Sequence, residues 1–300
     1  MPLPHIAWIG AGRMGVLMAG FILQAGYPVT VFSRSAASRA KLTALGAREA
    51  ADVAACVRGA QLVFSSVADD DALRSIALGP DGVLAHAARG AVLVETSTVS
   101  AQATQEVDAA ARPHGIDYVR APISGNAASA RTGDVTVLGS GPHAAWDRVK
   151  PVLQTFSKAQ IYLGEGEAAR YMKLVINALV VNTAQALAEA LALGRKSGLD
   201  FDTMLDTISA STIASPWLKV KSALLKARDF SPTMTTRLIL KDIDLMLAAA
   251  REHDAPLPLI AITRQIMQAA IGAGFEHEDY MAIVKLAEQQ AGLSDPQVKP

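Results

Sequence analysis

Three hundred residues, 51% of them hydrophobic and only 19% charged, suffice for two buried cores and exclude a chain that is disordered throughout. Twenty-eight basic residues balance 28 acidic ones, which leaves no basic field for nucleic acid or an anionic membrane. The single cysteine, Cys56, excludes a disulfide framework and suits a reducing cytoplasm. The first fifteen residues have no charged stretch ahead of an apolar run, and no run reaches ~18 uninterrupted apolar residues. The expectation is a soluble cytoplasmic protein without a membrane span.

The first half alternates strand and helix patterns. Short apolar runs at residues 5–9, 28–32, 61–64, 91–95 and 116–119 read as strands. Helical patterns occupy 14–25, 38–45, 72–78 and 101–112 between them. Such alternation implies right-handed βαβ crossovers and a parallel sheet. Residues 135–138 and 160–163 read as two further strands around a helix at 142–155. The pattern then changes. Residues 167–193 hold neither glycine nor proline, and their apolar side chains occupy almost every face, so a long helix buried on several sides is predicted. Helical patterns follow at 203–209, 218–227, 232–253, 257–270 and 280–290, and the polar ending, 292–300, is expected to fray. The fold class is therefore α/β, a doubly wound parallel sheet over residues 1–163. An all-α domain, 164–300, follows on a long interdomain helix.

Between the first strand and first helix stands Gly10-Ala11-Gly12-Arg13-Met14-Gly15. In a G-x-G-x-x-G turn the first glycine makes the tight bend, the second admits a pyrophosphate, and the third lets helix and strand pack closely. The strand before and the helix after supply the context that separates a dinucleotide site from a bare turn. This is the Rossmann arrangement, and a nicotinamide dinucleotide is the expected cofactor. Its type depends on the end of the second strand, where an acid suits the ribose of NAD and a cation suits the 2′-phosphate of NADP. Here the strand ends in Ser33-Arg34-Ser35, and no acid occurs between Gly15 and Glu49. A solvated surface arginine is the bland reading of Arg34. Its flat fork and two flanking hydroxyls favour NADP over NAD.

Lys173 and Asn177 stand four residues apart on the long helix, one turn apart on one face. In a crevice between domains such a pair holds and protonates a carbonyl oxygen, with desolvation bringing the lysine toward working pH. Alternatively the lysine snorkels to the surface and the asparagine fills a local gap. Spacing does not choose between them.

At this point four blocks in order resemble the β-hydroxyacid dehydrogenases, which include 3-hydroxyisobutyrate dehydrogenase, tartronate semialdehyde reductase and the glyoxylate/succinic semialdehyde reductases. They are the glycine turn with Ala19 and Gly26; Ala121-Pro-Ile-Ser-Gly125 with Gly133; Gly164-Glu-Gly166 with Lys173 and Asn177; and Leu240-Lys-Asp-Ile-Asp244 with Pro256-Leu257-Pro258. The resemblance implies a metal-independent oxidoreductase that interconverts a small β-hydroxy acid and its semialdehyde or keto acid. It makes Lys173 the general acid and base, and Asn177 the residue that orients the reacting oxygen. Ser124 and Gly125 would bind the substrate carboxylate. Val67, Ala68, Thr98 and Lys241 would contact the cofactor, with Asp242 pairing with Lys241 or bracing its helix. Relatives form homodimers or homotetramers. Two departures stand out: Asn126 replaces a second glycine in the substrate segment, and Val67-Ala68 lacks the usual proline. Asn126 narrows the pocket or bonds a polar substituent.

Two rival functions share the fold. Imine reductases generally replace the catalytic lysine, and a non-catalytic nucleotide-binding scaffold needs neither Lys173 nor Asn177. No metal site is expected, because the six histidines are scattered. The acidic run Asp69-Asp70-Asp71 reads as the favourable start of a helix.

Overall fold

The computed structural model describes residues 2–294, so the polar ending from residue 295 lies outside it. In the first unit, up to Leu174, the elements run β1 (Ile6–Ile9), α1 (Arg13–Gln24), β2 (Val29–Phe32), α2 (Ala36–Thr43), β3 (Arg48–Glu49), α3 (Val53–Val57) and β4 (Leu62–Ser65). They continue α4 (Asp70–Leu78), α5 (Val83–His86), β5 (Val92–Glu95), α6 (Ala101–Ala111), β6 (Asp117–Arg120), β7 (Ile123–Ser124), α7 (Ala127–Arg131), β8 (Thr136–Gly139), α8 (His143–Leu153) and β9 (Ala159–Tyr162).

Six strands pair in the order β3-β2-β1-β4-β5-β6, all parallel. The order reverses at β1/β4, where an open α/β sheet binds its ligand outside the carboxyl ends of the strands. Strands β1, β4 and β5 are buried along their whole length, as expected of a sheet covered on both faces. Alternate residues feed opposite cores. Ile6, Trp8, Val31, Phe64 and Val94 join Met18, Ile22 and Trp146 on one side. Ala7, Ile9, Val63 and Leu93 join Cys56, Leu73, Val83 and Val107 on the other. The two strands expected at 135–138 and 160–163 do not extend this sheet. They form a second one, β7-β8-β9, with β7 antiparallel to β8 and β8 parallel to β9.

The long helix is α9 (Ala168–Lys196), followed by α10 (Phe201–Ala210), α11 (Pro216–Lys226), α12 (Thr236–Glu252), α13 (Pro258–Gly272) and α14 (Ile283–Gln290). The expected boundary, 163/164, falls just ahead of α9; the division of packing falls two turns into it, between Leu174 and Val175. α9 is long and apolar enough to cross a bilayer by length and composition alone, a test that the core helix of a globular protein also passes. Within the second unit Val181, Ala184, Leu187, Ala188 and Leu191 are buried instead. Its tail is tied to α14 by Arg195 and Glu288, 2.9 Å apart. Burial on several sides was expected, but Met172, Val175, Leu179 and Leu193 are exposed. Their spacing of mostly three and four residues puts them on one stripe. None of the described residues covers that stripe.

Candidate active site

The turn after β1 is built by the three glycines for separate reasons. Gly10 has φ of +92°, and a Cβ there would lie 2.2 Å from the Ser66 carbonyl oxygen. At Gly15 a Cβ would lie 2.3 Å from the Gly10 carbonyl oxygen, so any side chain would push α1 off β1. That same carbonyl accepts a hydrogen bond from Trp8 Nε1 at 3.0 Å. Gly12 differs: a Cβ would meet no atom within 4 Å. It caps α1 without a side-chain bond, and no acid stands in the first turn. The open face over Gly12 and the uncapped N–H groups of α1 fit a pyrophosphate.

The other cofactor candidates of the first unit gather at the same strand ends. Gly10 N–H donates to Phe32 O (2.8 Å), Ser66 N–H to Ile9 O (2.9 Å) and Thr96 N–H to Ser65 O (2.9 Å). The turns after β1, β2, β4 and β5 are thus laced together. Arg34 is exposed after β2. Beside it, Ser33 is buried with its carbonyl bonded by Arg39, and Ser35 caps α2. Arg39 is also engaged by Glu49 at 2.6 Å, so Arg34 is the arginine of this turn that faces solvent. Val67 N–H donates to Ser97 Oγ at 2.7 Å, which joins the loop of Val67 and exposed Ala68 to the loop carrying half-buried Thr98.

The substrate segment belongs to the second sheet. Ser124 ends β7, and Gly125, with φ of +148°, leaves no room for a Cβ, which would lie 2.7 Å from Val135. Asn126 has a structural duty that explains its presence. Its Oδ1 accepts from Ala128 N (2.9 Å) and Ser129 N (3.1 Å), while its own N–H donates to Ser129 Oγ (2.9 Å). This reciprocal cap starts α7, which packs against α1. The amide nitrogen of Asn126 takes no part in the cap.

Lys173 and Asn177 are both buried, at 9% and 6% exposure, one turn apart on α9. Asn177 Nδ2 donates to Asp242 Oδ2 at 2.8 Å. Lys241 Nζ sits 3.0 Å from Asp242 Oδ1, though out of line for a hydrogen bond. Asp242 thus stands between Lys241 on its own helix and Asn177 on α9. A second buried lysine lies further along the chain. Lys221 is held by Asp279 at 2.8 Å and lies over the Tyr280 ring, a structural staple. Of the acidic run, Asp69 caps α4 and Asp70 accepts two bonds from Ser100.

Residues 5–164 match the NAD-binding domain family of 6-phosphogluconate dehydrogenase. Residues 166–287 match the NAD-binding family of NADP-dependent 3-hydroxyisobutyrate dehydrogenase. The chain is 33% identical to 2-(hydroxymethyl)glutarate dehydrogenase of Eubacterium barkeri, over 96% of each. It is 32% identical to 3-hydroxyisobutyrate dehydrogenase of Pseudomonas aeruginosa, over 95% of this chain and 98% of the relative. The crystal structure of 3-hydroxyisobutyrate dehydrogenase from Salmonella typhimurium superposes with a TM-score of 0.86 at 27% identity, covering 94% of this chain and 99% of that one. The chain belongs to the β-hydroxyacid dehydrogenase family.

As a member of that family it is a nicotinamide-dependent oxidoreductase of hydroxy acids. This dehydrogenase also holds a group of residues that the sequence reading passed over. Glu95 and Arg120, at the ends of β5 and β6, bind Arg170 and Glu167 at the start of α9. Burial pulls the Arg170 guanidinium down to about 9, still cationic at neutral pH. At Arg120 burial opposes the charge, and Glu167 and Asp108 outweigh it, raising the pKa. The available signal was a charged residue closing each of two apolar strands.

Proposed function

We propose that this dehydrogenase prefers NADP and interconverts a small β-hydroxy acid with the matching semialdehyde or keto acid, Lys173 carrying the proton. The observation behind the reading is a buried lysine one turn from a buried asparagine whose orientation Asp242 sets. Residues 1–163 would bind the dinucleotide, and 164–300 would supply substrate-side and subunit contacts. When bound, the nicotinamide supplies the hydride in reduction and accepts it in oxidation. In reduction the Lys173 ammonium gives a proton to the oxygen as the carbonyl becomes an alkoxide. In oxidation the neutral amine takes it back from the hydroxyl. Asn177, with one amide hydrogen spent on Asp242, has its other N–H and its Oδ1 to orient that oxygen. Lys173 does the proton work without a Lewis acid, so the scheme needs no metal.

Ser124 and Gly125 would take the substrate carboxylate, with Asn126 Nδ2 beside them for a polar substituent. Gly10, Ala11, Gly12, Arg13, Met14 and Gly15 would hold the pyrophosphate, with Val67, Ala68, Thr98 and Lys241 around the remainder of the cofactor. Arg34 would meet the 2′-phosphate, Ser33 and Ser35 flanking it. A charged hydrogen bond contributes about 1.5–3 kcal/mol, so NADPH should bind roughly ten- to a hundred-fold tighter than NADH. Arg34→Asp should reverse the order, as read by NADPH and NADH titration. Equal affinities in the parent enzyme would end the NADP reading. The exposed apolar stripe of α9 supports a homodimer or homotetramer, since monomers rarely leave such surface bare, and Cys56 as a free thiol suits the cytoplasm.

The deciding assay follows NADPH absorbance with 3-hydroxyisobutyrate, 2-(hydroxymethyl)glutarate, glyoxylate and succinic semialdehyde. Turnover on at least one, lowered about 10²–10⁴-fold by Lys173→Ala with NADPH affinity retained, is the expected result. A panel that gives no turnover with either cofactor would favour the non-catalytic scaffold.

A further inference from the structure

Glu95 and Arg120 are register partners on adjacent parallel strands, at the carboxyl ends of β5 and β6. Glu167 and Arg170 stand three residues apart at the start of α9. The pairs cross: Arg170 binds Glu95, and Arg120 binds Glu167. All four side chains are buried, and together they carry no net charge. A buried ion pair is a poor source of stability, because apolar residues of similar volume often serve as well or better. What two crossed pairs do supply is direction. A helix held at two opposite charges can neither slide nor turn without breaking one of them.

A slide of one residue along α9 would move every following side chain by ~1.5 Å and turn it by about 100°. Lys173 is the next residue on the Arg170 face, three positions on. The same guanidinium donates to the Ser97 carbonyl, and Ser97 N–H donates to Glu95 Oε1 at 2.5 Å. Ser97 Oγ in turn holds Val67 N–H. One side chain thus ties the helix of the candidate proton donor to the loops that flank Thr98 and Val67.

We propose that the Glu95–Arg170 pair, crossed with Arg120–Glu167, is a positioning device that sets the height and rotation of α9 so that Lys173 meets the reacting oxygen. Arg170 and Glu95 are positioning residues, acting through Lys173. The inference rests on Lys173 as proton carrier, and its test separates the two ideas. Arg170→Gln is made in the parent enzyme and in Lys173→Ala, with turnover measured on the best substrate of the panel and NADPH affinity by fluorescence titration. A displacement of about 1 Å costs on the order of a hundred-fold in rate. Arg170→Gln should therefore lower kcat about 10- to 100-fold while NADPH affinity changes less than about 3-fold. In the Lys173→Ala background it should slow the residual rate by less than about 2-fold, because the group being positioned is already gone. Glu95→Gln/Arg170→Gln strands no charge, guards against a folding failure, and should show the same loss.

An equal slowing in both backgrounds would make the array merely structural and overturn the proposal. So would parental turnover in the neutral double variant. Parental turnover in Lys173→Ala would instead remove the proton-carrier reading, and this inference with it.

Discussion

The two ends of α9 are one helix with opposite chemistries. Its first ten residues bury Arg170, Lys173 and Asn177, each a group that costs free energy to take out of water. Its later turns bury only small and aliphatic side chains, Val181, Ala184, Leu187, Ala188 and Leu191. The first stretch spends stability on placement, and the second recovers it through burial at roughly 1.5–3 kcal/mol per large apolar side chain. An uninterrupted helix makes this division possible, since hydrogen bonding carries a rigid frame from packing to chemistry.

If that division is right, substitutions along α9 should separate rate from stability. Lys173→Ala should lower kcat by about 10²–10⁴-fold, the usual worth of general acid–base catalysis, with the melting temperature little changed. A large fall in melting temperature at retained turnover would exchange the roles of the two ends. Leu191→Ala should do the reverse. A Leu-to-Ala change at a fully buried position costs about 2–5 kcal/mol, or several degrees of melting temperature at roughly 2–4 °C per kcal/mol. The turnover of the molecules that remain folded should match the parent. The exposed stripe should yield a third behaviour: Leu179→Lys with Leu193→Lys should change monomer stability by only about 0.5 kcal/mol, while light scattering should show a lower mass than the parent's if the proposed oligomer forms through the stripe. An unchanged mass would place the subunit contact elsewhere.

Cys56 offers the smallest effect and a control for the rest. Burial pushes its thiol up to about 12, outweighing hydrogen bonds that favour the thiolate. At pH 8 only about one part in ten thousand is thiolate, and only the thiolate reacts. Iodoacetamide should leave the folded parent and Lys173→Ala unmodified for hours and label both in denaturant. Rapid labelling of Lys173→Ala alone would show that the substitution had opened the core of the first unit.

The features legible in the sequence are those set by neighbours along the chain. Gly15 answers to Gly10 and Trp8 just before it in the chain, so the dinucleotide turn could be read from its spacing, although Gly10 itself is fixed by distant Ser66. The alternation of apolar runs gave the parallel sheet, but the two-residue strands β3 and β7 and the short helices α3, α5 and α7 were too brief to register as patterns. Asn126 was read only as a pocket residue, and its second duty went unread, although Ser129 three positions later was the mark of a reciprocal helix cap. The crossed ion pairs were beyond reach for another reason. Glu95 faces Arg120 through strand register and Arg170 across 75 residues, and no local pattern encodes either distance. Periodicity also showed that α9 is apolar on many faces without showing which face the single chain leaves bare.

The crossed charges bear on how the molecule can be dissected. A nucleotide-binding fragment cut at residue 163, just ahead of Gly164, would lose Glu167 and Arg170, stripping buried Glu95 of its cation and leaving Arg120 with Asp108 alone. A broken buried pair costs about 3–5 kcal/mol, a large share of the ~5–15 kcal/mol that holds an ordinary domain together. Continued through Leu174, the fragment keeps both partners for the addition of two helical turns. The seam expected from the sequence and the seam along which the packing divides are eleven residues apart.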